Sequence, residues 1–271
     1  LPNSTRISFD ANGNWQFPVG TVLVKHFAME MTAGDPTSTR RLETRVLVRQ
    51  TGNWVGVTYR WNGGQTDADL LAAATTQTLT IADAGAPGGV RTQQYFYPGP
   101  DDCLTCHTLI AGRVLGLRTR QLNGNFPYEI ATDNQLRAWN HIGLFTTNIG
   151  RADRYAAHSA LDDTTASLDA RARSYLDANC AFCHTAGGTA PSSLNLLGTV
   201  ANTGMNAIDV DPASGDLGLF DAKIIAPGDH TRSVLWERMT RTDENRMPRI
   251  GSNVVDSNAA DVIADWIDSL Q

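Results

Sequence analysis

All four cysteines of this 271-residue chain fall in two copies of one five-residue pattern. The pattern is Cys-x-x-Cys-His, and it runs from Cys103 to His107 and again from Cys180 to His184. Two thiols three positions apart lie about one helical turn from each other, and an imidazole follows them directly. Any fold of this chain must therefore present two matching sets of paired thiols with an adjacent histidine.

This spacing is typical of covalent haem attachment, because two thiols one turn apart can reach the two vinyl groups while the next histidine binds the iron. Two disulfides or a four-thiolate zinc site would also use Cys-x-x-Cys pairs. Either alternative leaves both histidines unexplained, so we predict two covalently attached haem c groups. The predicted attachment and proximal ligand residues are Cys103, Cys106, His107, Cys180, Cys183 and His184.

Composition narrows the setting in which such a protein works. Apolar residues make up 41% of the chain and charged residues 18%, which suits a folded protein with a substantial core. The net charge of -6, without a run of Lys or Arg, favours neither nucleic acid nor an anionic membrane as a partner. No stretch approaches the roughly 20 apolar residues of a membrane-spanning helix.

The chemistry also predicts a location. Haem attachment of this kind takes place outside the cytoplasm, and the sequence opens at Leu1 rather than Met, as a mature protein does after removal of its signal peptide. We therefore expect an exported protein, either periplasmic or extracellular.

The first hundred residues are predicted to be rich in β-strands. Residues 20–61 contain alternating apolar positions, and the turn-like Thr51-Gly52-Asn53 divides residues 41–61 into a β-hairpin. A Gly- and Pro-bearing stretch at 84–89 then precedes another short strand at 91–97.

Helices are predicted in the remainder of the chain. One begins near Thr132 or Asp133, a second is capped by Ser167 and runs into Cys180, and a third begins at Asp256 or Ser257 and closes the chain.

The segment from Ser167 to Gln271 resembles a class I cytochrome c domain, through its haem motif and through Arg246-Met247-Pro248 before the last helix. The resemblance implies that His184 and Met247 bind opposite faces of one iron. It further implies that the carbonyl of Pro191 accepts a hydrogen bond from the His184 ring. Met239 is the competing methionine. A thioether ligand raises the reduction potential, so the second haem is expected to be the higher-potential centre.

The whole chain resembles a bacterial family in which a β-rich leader precedes two haem motifs. The segments that carry this resemblance lie at 17–27, 40–45, 61–69 and 115–123. Relatives occur alone or fused to secreted modules that oxidise sugars or bind polysaccharides. The resemblance implies electron transfer in an extracytoplasmic pathway linked to carbohydrate oxidation, with a carbohydrate-active protein as one expected partner.

These patterns together predict an α+β protein. A β-rich N-terminal region with an adjoining haem-binding helical segment is expected over residues 1–155, and an all-α class I cytochrome c domain with the second haem over residues 156–271.

The ligand opposite His107 is left open between two histidines. No Met-Pro follows Cys106 before the second haem region, so an imidazole is the expected substitute. His141 on the middle helix is favoured over His26 on the first long strand, with Met29 and Met31 as further alternatives.

Three arginines follow the first motif and are candidates to bind haem propionates, because guanidinium groups pair with carboxylates. They are Arg113, Arg118 and Arg120. A solvated basic face is the alternative interpretation.

Two classes of function remain. A relay of single electrons between a dehydrogenase, an oxidase or another cytochrome is favoured, because ligands are available to close both irons. The alternative is a dihaem oxidoreductase, such as a peroxidase or a thiosulfate-type dehydrogenase, with one iron open to substrate.

Overall fold

Strands dominate the first hundred residues and short helices the rest, in a computed structural model that describes residues 1–271. The strands are β1 Val22–Glu30, β2 Thr39–Arg49, β3 Trp54–Trp61, β4 Ala68–Leu70, β5 Thr75–Ala82, β6 Val90–Tyr97, β7 Asn125–Pro127 and β8 Thr132–Asn134. The α-helices are α1 Pro100–Cys106, α2 Thr119–Leu122, α3 Gln135–His141, α4 Leu168–Asn179, α5 Val234–Thr240 and α6 Ser257–Asp268.

The chain divides into two compact units. The first unit consists of Leu1–Thr5 and Phe17–Cys106, and the second of Arg6–Gln16 and His107–Gln271. The division between units falls inside the first Cys-x-x-Cys-His motif, after its second cysteine. The predicted boundary between residues 155 and 156 lies within the second unit.

The first unit is built on an antiparallel sheet with strand order β1-β2-β3-β4. The predicted hairpin over residues 41–61 is confirmed, because β2 pairs with β3 from Glu43↔Arg60 to Arg49↔Trp54. The predicted strand at 91–97 is also confirmed, as β6 pairing with β5. Leu42, Leu79 and Tyr97 form a buried cluster that joins the two sheets.

Helix α1 ends the first unit and begins at a proline, a residue suited to the first helical position because its missing N–H needs no partner there. The carboxylate of Asp102 accepts a hydrogen bond from the Gly99 amide at 2.9 Å. The helix contacts β3 and thereby attaches both cysteines of the first motif to the sheet.

The middle of the second unit packs around aromatic rings. Phe145 lies edge-on to Phe9 and Trp15, with ring centroids 5.3 and 5.2 Å away. Helix α3 is capped by Asn134, whose side chain accepts from the Arg137 amide at 3.1 Å. The helix begins two or three residues later than predicted, because Thr132–Asn134 pair with β7 as strand β8.

Helices α4 and α6 pack against each other around a core that includes Leu176, Ile263 and Trp266. Both predicted caps are confirmed: Ser167 Oγ accepts from the Ala170 amide and Asp256 Oδ1 from the Ala259 amide, each at 3.1 Å. These bonds satisfy amides that the helix itself leaves unpaired.

The predicted fold class is wrong for the C-terminal region. The protein is β-rich around a four-stranded antiparallel sheet, and helices account for only 24% of its residues, so residues 156–271 do not form an all-α class I cytochrome c domain. Between α4 and α5 the chain is irregular, with left-handed backbone at residues such as Asn206, Asp209 and Leu217 and isolated parallel bridges at Ile208↔Ile225 and Lys223↔Ser233. Left-handed residues interrupt a helix, which explains why the helical pattern does not extend through this segment.

Candidate functional site

The cysteines of the first motif, Cys103 and Cys106, lie on α1. Residues three apart on a helix share a face, so both thiols project from the same side of this turn. Both residues are half-buried, and burial raises the pKa of the Cys103 thiol. The sulfur of Cys103 occupies space left by Gly56 on β3, where an added Cβ would lie only 2.8 Å from it.

A buried polar cluster lies beside Cys103 in the first unit. Glu43 is fully buried, accepts a hydrogen bond from Tyr95 Oη at 2.8 Å and pairs with Arg45 at 2.5 Å. Three buried atoms in this cluster have no hydrogen-bond partner, namely Glu43 Oε2, Arg45 Nε and Thr58 Oγ1. Sequence reasoning missed this cluster, because alternating strand residues gave no sign that a carboxylate and a guanidinium would be buried together.

His107 is oriented by the loop that follows it. Its Nδ1 lies 2.5 Å from the carbonyl oxygen of Arg113, while the Arg113 guanidinium donates to the His107 carbonyl at 2.9 Å. Arg113 has a left-handed backbone, with φ of 64°. A carbonyl on Nδ1 favours the tautomer that carries its proton on Nδ1, and this contact is the usual outer contact of a metal-binding histidine. Binding of a propionate by the Arg113 side chain stays a prediction. The structure shows that the backbone carbonyl of Arg113 contacts the His107 ring.

The second motif begins where α4 ends. Cys180 is the C-terminal cap of α4, and its carbonyl accepts from the amides of Cys183 at 3.1 Å and His184 at 3.0 Å. One helical turn therefore joins the two cysteines and the histidine. Burial raises the pKa of Cys180 to about 12. Gly188 packs against this turn, and any side chain at that position would overlap the Cys183 carbonyl.

The ring of His184 differs from that of His107 in its contacts. Its Nδ1 is buried and has no hydrogen-bond partner, so the carbonyl of Pro191, an exposed residue, does not accept from it in this structure. Burial, together with the positive charge of Arg238, lowers the pKa of His184. The neutral imidazole, which is the form that binds a metal, is therefore favoured.

The two methionines considered as ligands occupy different surroundings. Met239 packs against the core of α4 and α6, as an ordinary apolar residue does. Met247 is half-buried in the irregular segment before α6, and its amide donates to the Arg238 carbonyl at 2.8 Å. Met247 is thus the methionine whose side chain is outside the core cluster, and its assignment as a ligand remains a prediction.

The two histidines proposed to face His107 are both exposed. His141 is the last residue of α3, next to Ile142, which is 67% exposed. His26 lies on β1, and its Nδ1 is 2.7 Å from Thr44 Oγ1 on the neighbouring strand. Met29 and Met31 pack against the core cluster of the first unit.

Arg118 and Arg120, the remaining propionate candidates, lie at the start of α2. Arg118 donates from Nε and from a terminal nitrogen to Asn14 Oδ1, at 3.0 and 2.7 Å. Arg120 Nε is buried without a partner.

His158 and Asp177 form a contact that the sequence did not reveal. Nε2 of His158 lies 3.0 Å from Oδ2 of Asp177, and both side chains are largely buried. Burial alone raises the pKa of Asp177, but the close contact with His158 and the Gly198 amide outweigh it and lower the pKa below the ordinary value. His158 lies in a loop, and loop position says nothing about a carboxylate 19 residues further on.

These features are compatible with haem c at both motifs. Each motif places its two thiols within one helical turn, and the two histidines are held by a carbonyl contact in one case and by burial in the other. No disulfide joins the cysteines, and no three or more His, Cys, Asp or Glu side chains are grouped to hold a metal ion. None of the helices has the length and apolar character needed to cross a bilayer.

Comparison with known proteins does not assign the chain to a family. No family model matches it, and neither a curated protein nor a solved structure matches it.

Proposed function

We propose that this protein is a dihaem c-type cytochrome that transfers single electrons between redox partners outside the cytoplasm. The observation that carries the proposal is the double Cys-x-x-Cys-His motif, in which every cysteine of the chain is used and each pair of thiols lies on one helical turn. When bound, each haem supplies a reversible one-electron couple at its iron.

The chain's own residues orient and enclose the two proposed iron ligands. The Arg113 carbonyl orients the His107 ring through Nδ1, and burial favours the neutral form of His184. Because the Arg113 contact spans only six residues, the proposed proximal ligand His107 is positioned by the segment that directly follows its motif. This arrangement favours tight, permanent cofactor binding, which suits a relay.

Met247 and His141 are proposed to complete the two iron centres, with His26 as the alternative to His141. Met247 lies outside the core cluster, whereas Met239 belongs to it. Full coordination at both irons favours electron transfer over a dihaem oxidoreductase, which needs an open position for its substrate.

The number of haems is tested by the intact mass of native protein purified from an exporting host. We expect two haems per chain. The double variant Cys180→Ser with Cys183→Ser is expected to retain one, and Thr105→Ser inside the first motif, which leaves both thiols in place, is the control that retains two. A native chain without added macrocycles would refute the proposal.

The spin state of the irons and their reduction potentials distinguish the electron-transfer function from the enzyme function. Purely low-spin optical and electron paramagnetic resonance signals, with two waves in a redox titration, are expected for the relay. Met247→Ala is expected to produce a high-spin signal and a lower potential at one centre, while the core control Met239→Leu leaves both unchanged. A high-spin iron in the unmodified protein, together with peroxide turnover, would favour the enzyme.

A further inference from the structure

A polar pocket of about 410 Å³ lies in the second unit, away from both Cys-x-x-Cys-His motifs. Its walls come from the first half of α4, from α2 and from the loop at 198–203. Arg173, which lines it, is seven residues before Cys180, so at 1.5 Å per residue it lies about 10 Å along the helix from the motif. The pocket is therefore a feature separate from the proposed haem attachment sites.

Two guanidinium groups face this pocket without a carboxylate partner. Neither Arg120 nor Arg173 lies within ion-pair distance of an acidic side chain. Arg120 Nε is buried with no hydrogen-bond partner. Arg173 is only 7% exposed; one of its terminal nitrogens donates to the carbonyls of Leu197 and Val200 at 2.8 and 2.7 Å, and the other contacts the sulfur of Met205. Burial lowers the pKa of Arg173 even though the negative charges of Asp169 and Asp177 act against it, so an anion in the pocket would stabilise its charged form.

The acidic groups near the pocket are already engaged. Asp169 is the one carboxylate in the lining, and its Oδ1 accepts from Asn202 Nδ2 at 2.8 Å and Trp266 Nε1 at 2.9 Å. Asp177 lies beside His158, which also lines the pocket. With two guanidinium groups against the single carboxylate of Asp169, the lining carries a net positive charge.

Neutral donors complete the wall. The hydroxyls of Ser159, Ser174 and Thr203 and the amide of Asn202 belong to the lining. Guanidinium forks with hydroxyl and amide donors are the groups that recognise carboxylates and phosphates. No Phe, Tyr or Trp side chain lines the pocket.

We propose that this pocket binds a small oxyanion, a carboxylate or a phosphate, through Arg120 and Arg173. None of the lining residues belongs to either motif, but Arg120 is also one of the three arginines predicted to bind a haem propionate, so the two assignments of Arg120 compete. The volume accommodates a small organic acid or a phosphate ester together with water.

Binding is measured by isothermal titration of the purified full-length holoprotein with inorganic phosphate and, separately, with malonate. Saturable binding of at least one probe is expected, with a Kd of about 1 mM or tighter, as two charge-assisted contacts provide. The tighter probe identifies the ligand as a phosphate or a carboxylate.

Two variants change the charge of the pocket in opposite directions. Arg120→Gln is expected to weaken binding about tenfold or more, since it removes a charge-assisted contact. Asp169→Asn keeps an oxygen for Asn202 and Trp266 but removes the negative charge, so it is expected to strengthen binding. A misfolded variant cannot bind more tightly, so this second result separates a binding role from a structural one.

The matched control is Arg151→Gln, which removes a guanidinium from an exposed ion pair with Asp153. Its affinity is expected to equal that of the unmodified protein. Absence of saturable binding by either probe, as would follow if a haem propionate occupied Arg120, overturns the proposal. Equal weakening by Arg120→Gln and Arg151→Gln overturns it as well.

Discussion

The substitution Gly188→Ala, which adds one methyl group, tests how tightly the second motif is packed. The backbone of Gly188 is not left-handed, so alanine is acceptable there on conformational grounds. The added Cβ would nevertheless overlap the Cys183 carbonyl oxygen and lie 2.9 Å from that of Thr185. Ordinary contact needs a separation of about 3.4 Å or more, so the turn that carries the motif would have to move by about 1 Å.

The expected cost follows from the kind of atom that is displaced. Overpacking lowers the free energy of unfolding by about 1 to 3 kcal/mol. The loss in Gly188→Ala is expected near the upper end of this range, because the displaced atoms belong to the backbone. Replacing glycine by alanine also stabilises the protein by about 0.4 to 1 kcal/mol, because alanine reduces the conformational entropy of the unfolded chain. A net loss of about 2 kcal/mol lowers the melting temperature by about 4 to 8 °C for a unit of this size.

Thermal unfolding of Gly188→Ala, followed by far-ultraviolet circular dichroism, measures this loss, and the intact mass reports any loss of haem from the second motif. Gly124→Ala is the matched control, because its Cβ would meet nothing within 4 Å. The control is expected to be unchanged or slightly stabilised. If both variants have the melting temperature of the unmodified protein and carry two haems, the packing argument at the second motif is wrong.

Two further predictions concern the first unit and the buried carboxylate of α4. In Gly56→Ala the new Cβ would lie 2.8 Å from the Cys103 sulfur and displace it, so we expect intact mass to show a lower fraction of chains with two haems. The control is Gly64→Ala, whose Cβ has its nearest contact at 3.6 Å, and we expect that fraction to be unchanged. Because the pKa of Asp177 is lowered in the folded state, its contribution to stability is complete above the unfolded value and is lost as the pH falls below about 4. Acid unfolding of Asp177→Asn should therefore depend less steeply on pH in that range, and an unchanged slope would show that the contact with His158 does not stabilise the folded state.

Local structure was largely predictable where the signal lies within a few residues. Ser167 and Asp256 cap their helices as expected, because a short polar side chain before an apolar stripe acts only on amides two or three positions away. The hairpin over 41–61 was equally accessible, since alternation and a Gly-containing turn fix its register. Strand β8 was missed because three polar residues carry no alternation.

The fold class could not be predicted in the same way. The pattern of helix, haem motif and final helix is local, and it says little about residues 185–233, which join the helices through irregular backbone. The contact of His158 with Asp177 and the burial of Glu43 arise from tertiary packing, so the neighbouring residues in the sequence do not predict either feature. The Arg113 contact uses a backbone carbonyl, which every residue has, so side-chain identity could not reveal it.

The two motifs are the same in sequence pattern but differ in what surrounds the histidine, and this difference bears on the direction of electron flow. A carbonyl on Nδ1 makes the His107 imidazole a stronger electron donor, so at a haem bound there it would stabilise ferric iron and lower the potential. His184 lacks that contact and lies in buried surroundings that disfavour added charge, so its centre is expected at the higher potential. The predicted ligation by Met247 acts in the same direction, since a thioether stabilises ferrous iron. If the proposed function is correct, both effects would make a haem at His107 the electron donor to a haem at His184. A redox titration of Met247→Ala separates the two effects, because the contribution of the Arg113 carbonyl would persist when the thioether is removed.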